Sequence, residues 1–316
     1  MSLIACNCTS IGSLAKIITE ETGSAPRTFN SSSKRSEFIF EKIGSKRTVS
    51  YTGAITGSLS RLSTSVRQNS YIVQGTLAMQ ASPAQLSIWL PRIFGGPTSG
   101  TSIPLSNTIP RFDMLIYREA GIFHITNAIV SQALIRGKTT NGTGTAAQEF
   151  VELIVNIVGE EELIDTVTWP SPEPALVTTL ASLPYAFWET DLELNSTAIP
   201  MESFSFLINN NLIIKTFNER FPTCIRSAGR DVKLDVESPF TCDTLDESIA
   251  LNEAAGTGQL TFATTGMSTV FDFAAIWNNF ETPTVPGKSD IPLKYELEAF
   301  ETSSVKEVVI THDATP

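Results

Sequence analysis

The sequence predicts a mainly β protein made of two tandem sandwich- or barrel-like domains, each with one flanking α-helix. Three observations carry this reading. Apolar and polar residues alternate along many stretches of the 316-residue chain, the mark of strands with one buried face. In "SYIVQGTLAMQASPAQLSIWLPRIFGG" (70–96) such a strand runs straight into a capped helix. The same grammar returns in other letters at 231–256, "DVKLDVESPFTCDTLDESIALNEAAG", so a structural unit is written twice. The domains are placed at 36–165 and 187–316, with an N-terminal arm over 1–35 and a linker over 166–186.

The arm is rich in Ser and Thr, and a short helix is expected around Leu14–Glu20. A strand begins at Phe38-Ile39-Phe40, and the small, polar stretch 49–63 reads as an exposed hairpin or loop. In 70–80 the odd positions Tyr71, Val73, Leu77 and Met79 form one apolar face. The helix then has Ser82 as N-cap, Pro83 in its first turn and Gln85 placed to close a capping box. Leu86, Trp89, Leu90 and Ile93 make one stripe, Pro91 predicts a kink, and Gly95-Gly96 end the helix. Strands follow near Phe112–Arg118 and Ile122–Val130, then a Gly/Thr hairpin tip, then a strand over Glu149–Val158. Three prolines in "TWPSPEP" (168–174) mark the linker. The second domain offers strands at Trp188–Leu194, Ser203–Ile208 and Asp231–Val236, a helix at Thr244–Ala255, strands at Gln259–Ala263 and Val270–Trp277, and a final strand at Ile291–Phe300. Between the halves, 122–130 answers 270–278 and 148–158 answers 291–301.

Composition excludes several functions. With 33 acidic against 22 basic residues the net charge is −11, which opposes tight nucleic-acid wrapping, since that requires Lys/Arg to displace counterions. No apolar run has the length of a membrane helix, and "MSLIACNC" lacks the basic and apolar regions of a secretory or lipoprotein signal. Cys6, Cys8, Cys224 and Cys242 lack the paired spacing of a zinc site and read as four reduced thiols. His124 sits mid-strand with no carboxylate beside it in sequence, and His312 falls in a solvated end, so no Ser-His-Asp set assembles. The S-x-x-K at 31–34 lies in a serine run, and "NGTGTA" (141–146) lacks the third glycine and helix of a dinucleotide loop. Neither an enzyme nor a cofactor or metal site is expected.

Acidic residues concentrate on the polar sides of strands. Asp231, Asp235 and Glu237 share a side with Lys233, Glu296 and Glu298 share one with Lys294, and Glu152 faces away from Val151, Leu153, Val155 and Ile157. Any solvated sheet face would carry the same pattern.

The stretch "RQNSYIVQGTLAMQASPAQLSIWLPRIFGG", the lead-in "TGAITGSLSRLS", and the segments "IPRFDMLIYR" and "VPGKSDIPLKYELEA" together resemble the tail tube proteins of long, flexible-tailed bacteriophages. The similarity spans most of 36–316. It implies tail-tube-like sandwich domains that form rings, stacked into a hollow tube through which the genome leaves the virion. Two fused domains imply a trimeric, pseudo-sixfold ring, with a hexamer as the alternative. Tape-measure and tail terminator proteins are the implied partners, the location is the virion tail after assembly in the host cytoplasm, and DNA passes without specific binding.

On this reading Glu152, Asp231, Asp235, Glu237, Glu296 and Glu298 are expected to line the lumen, where a negative wall lets DNA slide. The arm, the 96–111 loop and the 136–147 hairpin, uncommitted to the core, are expected to make ring-stacking contacts through Gly96, Thr98, Ser102, Lys138, Asn141 and Gly142. The competing expectation is a phage decoration or host-attachment sandwich pair that does not assemble.

Overall fold

The computed structural model describes residues 15–21, 29–30, 33–51, 66–96, 101–139, 150–175, 183–284, 291–303 and 305–313. These residues form a mainly β fold with two α-helices. The first half holds β1 (Lys16–Glu21), β2 (Lys34–Ser36), β3 (Phe40–Ser45), β4 (Val49–Tyr51), β5 (Val66–Gln68), β6 (Val73–Gln80), α1 (Pro83–Phe94), β7 (Ser102–Ile103), β8 (Phe112–Tyr117), β9 (Ile122–Lys138), β10 (Glu152–Gly159) and β11 (Glu161–Ile164). The second holds β12 (Thr190–Leu194), β13 (Thr197–Ala198), β14 (Ser203–Asn209), β15 (Leu212–Lys215), β16 (Cys224–Ser227), β17 (Asp231–Pro239), α2 (Cys242–Glu253), β18 (Gly256–Thr264), β19 (Met267–Asn278), β20 (Pro292–Ala299) and β21 (Val308–Asp313).

A long antiparallel layer runs β3-β6-β10-β9-β14-β17-β20-β19. Its first four strands and its last four are the same series written twice. Flanking layers repeat as well: β1-β8-β9 in the first half and β12-β18-β19 in the second. Strand β9 takes part in two layers. Its first residues lie between β8 and β11, and its last lie between β10 and β14. Apolar side chains from both halves, among them Leu77, Trp89, Val155, Phe206, Phe271 and Tyr295, share one core.

The helices show why the second copy is not a duplicate in energy. Ser82 caps α1, its hydroxyl accepting from the Gln85 N–H at 3.2 Å, and left-handed Gly95 ends it. The Gln85 side chain does not close a capping box; it is buried and its amide finds no partner. Ten of the twelve residues of α1 are buried, and the helix lies against β9 and against β19 and β21 of the other half. Helix α2 starts earlier than expected because Thr241 caps it by accepting from the Thr244 N–H. Only Thr244, Ser248 and Leu251 are buried on it. Counting from the caps, Glu247, Asn252 and Glu253 replace Ile88, Ile93 and Phe94 of α1.

Several expectations are corrected. The helix around Leu14–Glu20 is strand β1 over its described part, with Ile17 and Ile18 fully buried, since a β-branched run fits a pleated surface. The 96–111 loop is anchored: β7 pairs with β21, and Ile103 and Ile109 are buried. Ile291–Phe300 is not the final strand, because β21 follows and His312 on it is buried. The alignment of 148–158 with 291–301 is displaced by an odd step. Gln80 faces Glu152 as Pro239 faces Pro292, so Leu153 and Leu293 both point inward.

Candidate functional site

The solvent face of the long layer gathers the acidic residues singled out by sequence. One row across it reads Gln80, Glu152, Arg136, Ser205, Asp235, Glu296. The next reads Ala78, Ile154, Leu134, Leu207, Lys233, Glu298, Trp277. Asp231 lies opposite Asn209, and Glu237 lies between Ser203 and Lys294. Strand alternation therefore brings all six carboxylates, Glu152, Asp231, Asp235, Glu237, Glu296 and Glu298, to one surface.

Cations are interleaved with them. Arg136 contacts Glu152 at 2.8 Å, Lys233 bonds Glu298, Lys294 faces Glu237, and Lys138 and Lys42 lie on the same side. Exposed pairs of this kind each contribute at most about 1 kcal/mol. Partial burial, reinforced by Glu296 and offset by Lys233, holds the Asp235 carboxyl above its usual range. The bond to Glu298 raises Lys233. The face is thus a mosaic of alternating sign, with the carboxylates interleaved with Arg136, Lys138, Lys233, Lys294 and Lys42. Such a mosaic offers a polyanion little to hold.

Among the described residues, β3 pairs with no strand but β6, although side chains of Glu41, Arg118 and Glu162 already bond backbone groups of Ile43 and Ser45; beside it Ile39 (60% exposed) and Phe40 (50%) face solvent. At the other end of the layer, β20 pairs with Ile276–Asn278 of β19, and Trp277 (41%) and Phe300 (46%) are exposed there. Free edges with apolar side chains invite another strand. Inside the chain the equivalent edge is already filled, because residues 132–138 of β9 pair with β14.

The stacking residues fare differently. Lys138 is exposed at the end of β9 and Ser102 is exposed on β7, whereas Gly96 is buried with Pro104 O only 2.1 Å from where a Cβ would stand. Thr98, Asn141 and Gly142 lie outside the described residues.

Two histidine contacts were missed. His124 Nε2 is 3.0 Å from Asp113 Oδ2, a carboxylate supplied by the neighbouring strand β8, and Asp113 Oδ1 accepts from the Asn127 N–H. His312 joins a buried chain: Ser87 Oγ to Nε2 (2.9 Å), Nδ1 to Thr269 Oγ1 (2.9 Å), and Thr269 Oγ1 to Tyr185 OH (3.1 Å). Ser87 donates its proton to the Pro83 carbonyl, so its oxygen accepts from Nε2–H, and Nδ1 accepts from Thr269. A hydrolytic dyad needs the opposite polarity and a carboxylate behind the ring. Burial holds His312 neutral, pushed down to about 4. Among the described residues no cluster of His, Cys, Asp and Glu could hold a metal, and no helix is long and apolar enough to cross a membrane.

No protein-family model matches this chain, and no curated protein matches it.

Proposed function

We propose that copies of this chain join edge to edge into closed rings that stack into the tail tube of a long-tailed phage, with the mosaic face turned to the lumen. One observation carries the reading: the β9–β14 junction. It joins two copies of one four-strand series within the chain, and β3 pairs with no strand but β6 among the described residues. The segment of the second copy that matches 132–138 is 280–286, which is outside any strand over its described part and would extend β19 on assembly. Repeating that junction between chains satisfies the edge N–H and C=O groups and closes the layer into a barrel. Three chains supply six series, which makes a trimeric ring the preferred stoichiometry and a hexamer the alternative. Genomic DNA would slide over water held by the alternating charges, and tape-measure and terminator proteins would set the length.

Electron microscopy and mass measurement of the purified protein test this. Rings or tubes whose unit mass is three chains support the proposal. A monodisperse monomer at every concentration overturns it and favours the decoration or attachment module. Asp235, Glu296 and Glu298 on the outer wall of an assembled tube would overturn the lumen assignment alone.

A further inference from the structure

Two hairpins occupy equivalent places in the repeat, and only one is covered. Hairpin β15–β16 interrupts the chain between β14 and β17, and β4–β5 interrupts it between β3 and β6. As many residues separate Val66 from Val73 as separate Ile225 from Val232, and Ile43 from Val49 as Phe206 from Leu212. The internal registers agree, because Val49 faces Gln68 as Leu212 faces Ser227. Val49 and Val66 therefore stand where Leu212 and Ile225 stand.

Ile225 is buried in a small cluster with Ile109, Ile129 and Val158, and Leu212 packs against it. The Arg111 guanidinium donates to the Ile225 carbonyl at 3.0 Å, and the Tyr71 N–H donates to Arg220 O at 2.8 Å, fastening this hairpin to the first half. Val49 and Val66, by contrast, are 62% and 40% exposed. The surface that would receive them follows from register. Gln74 faces Val158, which faces Ile129; Lys233 faces Glu298, which faces Trp277. Gln74 and Lys233 precede the caps Ser82 and Thr241 by the same count. Trp277 thus holds the place of Ile129, but is exposed.

From this correspondence we infer that the β4–β5 hairpin of one copy folds over Trp277 of the next, the intermolecular version of β15–β16 over Ile129. The inference rests on the ring reading and adds which surfaces meet. Charge agrees with it. Lys46 and Arg67 are exposed on and beside the hairpin, while Glu298, which also bonds Lys233, faces Trp277. Where the internal contact pairs an apolar centre with hydrogen bonds to the backbone, the external one pairs an apolar centre with opposite charges. The contact is heterologous, hairpin to sheet end, and such contacts close into rings when the rotation fits.

The test uses the full chain with Cys6, Cys8, Cys224 and Cys242 changed to serine, carrying Val66→Cys and Trp277→Cys, oxidised under assembling conditions. A covalent ladder ending at the ring number supports the contact. Assembled particles without a ladder overturn it and leave the ring reading standing; an unmodified protein that never assembles overturns both. Val66→Asp gives an independent answer. Because Val66 is exposed, folding and thermal midpoint should hold, while the concentration needed for assembly rises at least about tenfold, the equivalent of 1.4 kcal/mol. Wild-type assembly by this variant overturns the proposal.

Discussion

Acid should loosen the last strand through a single ring. His312 is 6% exposed and neutral, donating at Nε2 and accepting at Nδ1 from Thr269. Burial lowers it to about 4 from the ordinary 6.5. The unfolded chain therefore takes up this proton first as pH falls, and stability is lost from about pH 6.5 down to about 4. At pH 4.5 the loss from this site is about 2–3 kcal/mol. In the fold, a proton on Nδ1 would force the Thr269 hydroxyl to turn from donor to acceptor and reverse the run to Tyr185. The perturbation is His312→Asn, and the assay is urea unfolding of the unassembled chain from pH 7.5 to 4.5, read as the difference between wild type and variant. At neutral pH the variant should be less stable by about 1–3 kcal/mol, from the buried partners left unpaired. The gap should shrink on acidification, because only the wild type carries the histidine penalty. Parallel profiles, or an NMR titration of His312 near 6.5, would refute the reasoning.

Other perturbations give separate checks. Asn210 is fully buried and its amide donates to Ile93 O and Val130 O at 3.0 Å each; Asn210→Ala should cost about 2–4 kcal/mol by calorimetry. A Cβ at Gly75 would stand 1.9 Å from Lys42 O and 2.5 Å from Ile43 Cα, so Gly75→Ala should part β3 from β6. The readout is lost hydrogen-exchange protection in β3, with α1 still protected, and a cost of roughly 3 kcal/mol. Asp235→Asn should raise the thermal midpoint at pH 7, because burial and Glu296 disfavour the charged form. That gain should vanish below about pH 4, where aspartate is protonated in any case.

Much of this was legible in the letters. Alternation in 73–80 and the Ser82-Pro83 pair placed β6 and α1 closely, and the same alternation set six carboxylates on one face. Periodicity along a strand says nothing about neighbours across strands, so it cannot show that Arg136 and Lys138 share that face. Gln85 matched a capping pattern but its burial prevented the bond. Strand β9 runs past Val130 although "SQALIRGK" has little strand propensity, because pairing with β10 and β14 on both sides holds it extended. The Asp113–His124 contact needs two strands in register, and no spacing rule reaches across them.

The contrast between the helices bears on how the two halves of one chain are held. Its greasiest joint, α1 against the opposite half, is completed as soon as one polypeptide folds. What α2 leaves outward is largely hydrophilic. Loosening the α1 joint would therefore bare apolar surface of both halves at once, whereas unwinding α2 would bare little.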